Sequence, residues 1–504
     1  MTNAEANTGY THDFYRELTP TLQRFALLLR GIEAGGDAQR FKYCELGCGH
    51  GFSSLLLAAA HPDSEFHAND ILPGHIGYAR KLAREAGTTN AHFYDDSFEE
   101  FGNRTLPDFD VIALHGVYSW ISEENRRHIV DFIARRLKVG GVVYISYNCH
   151  PGWATLSPLR DLMMIFSGNP ADPLLPRVDH ALTQIQKLLD TDGAFVQANP
   201  SVKNRFEEIL RQPRSYVAHE YFTDDWTAFH HTDVAGELRE AKLEYGTTVH
   251  ILDHLAAFSL TPVQQKLLGN TANADQREVL NDFIVNRQFR RDLYTKGGQP
   301  IDIAERNERV TNTRFVLTTM PADISRTLKT TLGSYSVNPA VFDPLIDAFK
   351  KGPRSIRQLQ QELGIRDMSA AMILETIIIL IAGNHLQPCL DAAGEAARSK
   401  RTAAFNTAIM LRAHTGDELA FLASPVTGGG FHISRFEQLF LLARERKHAD
   451  PPALVLECLK ARNEGLKHDG KVLQTPEENL AHLRERHADF LRRLPLLQQL
   501  GIAA

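Results

Sequence analysis

The sequence predicts an α/β protein. A Rossmann-like parallel sheet with helices on both faces carries a helical insertion, and a winged-helix-like middle domain and a mainly helical C-terminal region follow. Three observations support this. Apolar, β-rich runs alternate with amphipathic helical stretches over residues 41–148. A glycine-rich turn lies where the first of these strands hands over to a helix. The alternation then stops after Asn148, and residues 155–228 read as helices around a loop at 167–176.

The elements follow in order. Residues 12–31 place Phe14, Leu18, Leu22, Phe25, Leu28 and Leu29 at helical spacing. Strands are expected at 41–46, 64–70, 91–96, 110–116 and 141–148, and helices at 53–60, 75–87 and 124–137. The sheet resumes with a helix at 233–242 and strands at 244–250 and 289–296. Residues 353–390 read helix, turn, helix, strand, a winged-helix pattern. The middle of its second helix, Ile373 to Ile381, is too apolar to read bases, which need polar and basic side chains, so packing or dimerisation is its expected role. The domain boundaries expected are 1–300, with the insertion at about 155–228, then 301–395 and 396–504.

Composition narrows the functional classes. The 504 residues suggest about three domains. A formal charge of −6 argues against a broadly basic nucleic-acid binder. Cys44, Cys48, Cys149, Cys389 and Cys458 are too scattered for a disulfide framework, and Cys44–Cys48 lacks the second pair that a zinc site needs. No metal is expected, and a reducing, cytoplasmic compartment fits. The N-terminus lacks the pattern of a secretory signal. The most apolar stretch, Met372 to Ala382, is interrupted by Glu375 and is too short for a membrane span.

The chemistry is concentrated in Tyr43–Gly51, YCELGCGHG. Gly47 and Gly49 permit a tight turn and close approach of a ligand to the backbone. Dinucleotide enzymes use glycines here too, but they need a small residue where this chain has Phe52. Glu45, at the strand end, would repel a pyrophosphate and suits an ammonium, such as that of S-adenosylmethionine. Asp70 closes the second strand at the spacing of a ribose-binding carboxylate. Asp96, Ser97 and Phe98 end the third strand, placed to bond the adenine amino group and cover the base. The bland alternatives are a helix-dipole partner for Glu45, a helix cap for Asp70 and core packing for Phe98.

At these residues the chain resembles the class I S-adenosylmethionine-dependent methyltransferases. It is similar, more narrowly, to the bacterial group with a methyltransferase regulatory domain, which includes the rickettsial protein-lysine methyltransferases. The likeness runs through YTHDFYRELTP (10–20), FHAND (66–70), FYDDSF (93–98), FDVIALHGVYSWIS (109–122), SYNCHPGW (146–153), AHEYF (218–222), FRRDLYTKG (289–297) and LASPVTGGG (422–430). It implies a Rossmann-like catalytic domain with a regulatory segment at about 215–300. It places the cofactor against Glu45, Gly47, Gly49, Asp70, Asp96, Ser97 and His115, with Tyr10 and Tyr15 closing over it. It also makes protein lysine a candidate substrate.

Methyl transfer needs alignment and exclusion of water, and a lysine acceptor must lose a proton. The expected mouth is HGVYSW (115–120) with SYNCHPGW (146–153), both after strand ends. Tyr118, Trp120, Tyr147 and Trp153 are candidates to surround an amine, whose cationic product their ring faces would attract. Asn148 is the candidate to orient it. Tyr118 or Tyr147 is placed to relay a proton, or His115 to act as base. Packing roles are the plain alternative for the aromatics. Three functions fit: a protein-lysine methyltransferase, a small-molecule N- or O-methyltransferase of specialised metabolism, and a non-catalytic cofactor-binding interaction protein. The helical insertion suits a homodimer.

Overall fold

The computed structural model describes residues 12–362, 367–468 and 471–503, so Tyr10 lies outside the described residues. A seven-stranded sheet forms its centre. Its strands are β1 (Lys42–Leu46), β2 (Glu65–Asn69), β3 (Ala91–Tyr94), β4 (Phe109–Leu114), β5 (Leu137–Asn148), β6 (Glu244–Thr248) and β7 (Phe289–Thr295). They lie in the order β3-β2-β1-β4-β5-β7-β6. The order reverses between β1 and β4, and open α/β sheets bind ligands at such a switch point.

Strands β1 to β5 are parallel, as expected, but β7 runs antiparallel to both β5 and β6. The helix Ala274–Val285 ends at Asn286, whose left-handed backbone (φ 50°) turns the chain back into β7. The strand carries Arg290 and Asp292, both buried. Arg290 donates to Asp292 at 2.7 Å, to both Asp282 oxygens at 2.7 Å and to Glu278 at 2.8 Å. A buried guanidinium is tolerated only when its donors are satisfied this fully.

The two faces of the sheet bury different clusters. On β5, Tyr144 belongs to one cluster, while Val143, Ile145 and Tyr147 belong to the other. This is the period-2 alternation of a strand. The first cluster runs from Phe14 on to Ile502, so the middle and C-terminal parts pack on the same side as the N-terminal segment. The insertion has a third cluster, with Trp153, Val178 and Phe206 among its buried residues.

The N-terminal helix occupies Pro20–Leu29 rather than 12–31. Thr19 precedes proline and is held extended, so the helix begins with Pro20 in its first turn. Residues 12–19 are thereby released as an extended segment with one short turn at Arg16–Leu18.

The insertion comprises helices Ser157–Phe166, Leu174–Asp190, Ala194–Ala198, Ser201–Arg211 and Arg214–Tyr221. In the middle part, helices Ile356–Leu359 and Ala370–Ala382 pack with a three-stranded sheet. Arg314–Leu317 is its centre, flanked by Arg354–Ser355 and Leu386–Pro388. Ile373, Ile377 and Leu380 are fully buried, which fits packing rather than base reading. The C-terminal part is built on helices Glu395–Arg412, Arg435–Glu445, Pro451–Lys460 and Pro476–Gln499. Arg412 ties it to the sheet's helices, bonding Glu85 at 2.7 Å and the Tyr78 hydroxyl at 3.1 Å. No helix among the described residues is long and apolar enough to cross a membrane.

Candidate active site

Between β1 and the helix Phe52–Ala60 the chain turns through Gly47, Gly49 and Gly51, with φ of 70°, 54° and 66°. L side chains rarely adopt this region. Space excludes them as well. A Cβ on Gly47 would stand 2.7 Å from Val117, and one on Gly51 would stand 2.5 Å from the Phe93 ring.

Glu45 is buried at the end of β1 and accepts a hydrogen bond from the Ser54 hydroxyl. Burial raises its pKa to about 7, and the nearby Asp70 adds to the rise. Asp70 follows β2 and braces the glycine turn. One oxygen accepts the Gly49 N–H at 2.9 Å; the other accepts the Leu72 N–H at 3.0 Å and lies 3.1 Å from His75 Nδ1. Its helix-starting role is therefore real, and a carboxylate has about four lone pairs, so capacity for a further donor remains.

Glu45 and the glycine turn border a narrow crevice of about 40 Å³, lined also by Asp13, Tyr15, His50 and His115 among others. The extended N-terminal segment forms its roof. The Tyr15 ring stacks on His115 with centroids 3.9 Å apart. His115 Nδ1 lies 2.8 Å from the Tyr144 hydroxyl. Burial lowers the His115 pKa to about 4, so the ring is neutral at neutral pH and a poor base for an ammonium. A larger cavity of about 270 Å³, lined by Arg24, His61 and Arg398 among others, lies at the amino edge of the sheet, away from these groups.

The residues bordering the crevice match an S-adenosylmethionine-like ligand in chemistry. Its glycines leave backbone where side chains would block approach, and its one buried carboxylate is matched to an ammonium rather than to phosphate. On the adenine side, Asp96 is already engaged within the protein. Its carboxylate is held by Arg104 through both oxygens, one at 2.8 Å, and its carbonyl accepts from the Asn69 amide at 3.1 Å. Ser97 is the cap of the helix Phe98–Asn103, in a reciprocal capping box with Glu100. Phe98 is half-buried at the start of that helix.

The expected aromatic mouth is not assembled. Tyr147 points to the opposite face of the sheet, where its hydroxyl donates to Asp292 at 2.8 Å. Tyr118 is fully buried in the same cluster and donates to Glu237. Burial raises both phenol pKa values far above the ordinary range, Tyr118 also through Glu237 and Tyr147 through Asp292, so neither relays a proton readily. Trp153 is buried inside the insertion against Trp226, 4.7 Å between ring centroids. Trp120 is half-buried and donates its indole N–H to the Glu220 carbonyl at 3.3 Å.

Asn148 does keep its expected side. It follows Tyr147, so it shares the face of Tyr144 and His115. Its backbone N–H donates to the Ser119 hydroxyl at 2.8 Å, and its side chain is buried beside Glu220 with the amide nitrogen left without a hydrogen-bond partner among the described residues. Glu220 was not singled out from the sequence, although it lies within AHEYF. Away from this region, Glu65, His67 and His92 hold three potential ligand atoms within 4.8 Å of one another. Lys42 and the Tyr94 hydroxyl engage the same groups, at 3.3 and 3.1 Å.

Comparison with known proteins agrees with this geometry. A methyltransferase domain model matches residues 44–143, and a predicted methyltransferase regulatory domain model matches residues 213–296. An uncharacterized protein from Synechocystis is 40% identical over 98% of both chains. An uncharacterized protein from Rickettsia prowazekii is 30% identical over 36% of this chain and 72% of its own. Among solved structures, PKMT2 from Rickettsia typhi in complex with AdoHcy superposes with a TM-score of 0.74 at 19% identity. The match covers 98% of this chain and 100% of that one.

Proposed function

The chain belongs to the S-adenosylmethionine-dependent methyltransferases that carry a methyltransferase regulatory domain, and we propose that it methylates lysine side chains of a protein substrate. The observation that carries the cofactor half of this reading is Glu45, a buried carboxylate at the switch point of the sheet, facing a glycine-lined crevice. Such a group is costly to bury alone and is matched by the ammonium of the cofactor's methionine part.

In this reading Gly47 and Gly49 let the ligand lie against the backbone, and Asp70 takes the ribose hydroxyls with its remaining capacity. Ser97 and Phe98 border the adenine, and Tyr15 with His115 covers the reacting end. When bound, the cofactor supplies a methyl group already activated by its sulfonium. The protein's share is to align the acceptor and keep water out. The lysine half is supported by the name of the rickettsial neighbour, PKMT2, and by how far the shared fold extends beyond the sheet. The insertion and C-terminal helices offer docking surface that a small acceptor does not require.

Incubation with methyl-labelled cofactor and a cell lysate tests the proposal. Label is expected in protein bands and, after hydrolysis, in methyl-lysine. Label confined to small molecules would instead support the specialised-metabolism reading. Cofactor binding with no turnover would support the non-catalytic one.

A further inference from the structure

We propose that Glu220, with Asn148, forms the acceptor site: a carboxylate that receives a primary amine and takes its proton. The inference rests on the methyltransferase reading above and goes beyond it by naming where the amine sits. Glu220 belongs to the last helix of the insertion, Arg214–Tyr221, which lies over the carboxyl end of the sheet. The Trp120 indole holds that helix by the Glu220 carbonyl at 3.3 Å. The neighbouring Thr227 N–H donates to the Ser119 carbonyl at 2.8 Å, and the Ser119 hydroxyl accepts the Asn148 N–H at 2.8 Å. The loop after β4, the end of β5 and the insertion are thus fastened together at one place.

The site is continuous with the cofactor crevice. Asn148 pairs across strands with Phe289, whose ring centroid is 6.4 Å from that of His115. His115 in turn stacks under Tyr15, which lines the crevice with Glu45. Tyr216, on the exposed face of the Glu220 helix, lies near both Glu220 and Tyr15. Tyr118 and Tyr147, the other proton-relay candidates, are committed to the opposite face.

The chemistry balances. An acceptor ammonium gives one proton to the Glu220 carboxylate, freeing its nitrogen lone pair. That nitrogen forms a bond to the methyl carbon as the carbon–sulfur bond breaks, its electron pair staying on sulfur. The proton then leaves Glu220 for solvent. Burial raises the Glu220 pKa to about 7, while Asn148 opposes the rise. Such a carboxylate is a better proton acceptor than one at 4.5 and still exchanges with water near neutrality.

The test uses the full-length protein and n-butylamine as a lysine side-chain probe, with and without saturating AdoHcy. Calorimetry is expected to show amine binding in the wild type that falls at least tenfold in Glu220→Gln. AdoHcy affinity should stay within twofold. Label transfer is expected to fall about a hundredfold in kcat with little change in the KM for cofactor. Asn148→Ala, which keeps the carboxylate, should weaken amine binding less than Glu220→Gln does. It supplies the same comparison if the glutamine variant folds poorly. Unchanged amine binding in both variants, or no amine binding by the wild type, overturns the proposal. If butylamine binding depends on Glu220 while lysates yield only small methylated products, the protein-lysine reading falls and this site stands.

Discussion

Glu45 makes cofactor affinity depend on pH in a way that can be worked out from its surroundings. Its carboxyl is buried and close to Asp70, so in the ligand-free protein it holds its proton up to about pH 7. A ligand ammonium favours the ionised form, so binding expels that proton. Affinity therefore rises with pH through about 7 and levels off above it. With a pKa near 7, the ionised fraction climbs from about one eleventh at pH 6 to about ten elevenths at pH 8. That is roughly tenfold in affinity, or about 1.4 kcal/mol. Glu45→Gln removes the titration and the charge, and is expected to cost about 2 kcal/mol or more at pH 8, roughly thirtyfold. The assay is calorimetry of AdoHcy binding from pH 6 to 8 with both proteins. The ligand's own ammonium titrates identically in both, so the ratio of their affinities isolates Glu45. The linkage also acts on folding. A carboxyl whose pKa is raised on folding stabilises the fold below its unfolded value, near 4.5, and that contribution is lost as pH rises to about 7. A ratio that does not change with pH, or a glutamine variant that binds as well as the wild type, would refute the reasoning.

Other outcomes follow from the same geometry. Gly51→Ala puts a Cβ 2.5 Å from the Phe93 ring at a left-handed φ. A loss of about 1–3 kcal/mol in urea unfolding is expected. Arg290→Met leaves the buried Asp282 with Arg287 alone and the buried Asp292 with the Tyr147 hydroxyl, and should cost about 3–5 kcal/mol, read in the same unfolding experiment. Tyr15→Ala removes the stack on His115. At about 0.5–1.5 kcal/mol for such a contact, AdoHcy should dissociate roughly two- to tenfold faster in stopped flow.

The parts legible in the sequence were those fixed by local pattern. The glycine turn, Glu45 and Asp70 sit at strand ends, where spacing alone places them; Glu45 and Gly47 border one crevice, and Asp70 braces the turn through Gly49. The insertion and the winged-helix pattern were legible because their apolar periodicity is strong. Face parity was not. Tyr147 and Asn148 are adjacent, and in a strand buried on both sides no alternation of polarity tells which of them meets the crevice. The run FRRDLYT hid its direction for a related reason. Arg290 and Asp292 are buried in it because Asp282, eight residues before Arg290 in a helix, neutralises the guanidinium. Glu220 is a lone helical carboxylate 72 residues after Asn148, and only folding brings the two together. Arg104's hold on Asp96 is similarly silent, since the pair gains meaning only when the helix Phe98–Asn103 returns Arg104 to the strand end. The strand Arg314–Leu317 escaped because its partners, Arg354–Ser355 and Leu386–Pro388, are short and distant in sequence.

A crystal structure with AdoHcy would weigh most directly on the crevice between β1 and β4. The homocysteine ammonium is expected within hydrogen-bonding distance of Glu45, the ribose hydroxyls at Asp70 and the Tyr15 ring over the ligand beside His115. Density for the ligand in the amino-edge cavity beside Arg24 and Arg398, with Glu45 still bonded only to Ser54, would contradict it.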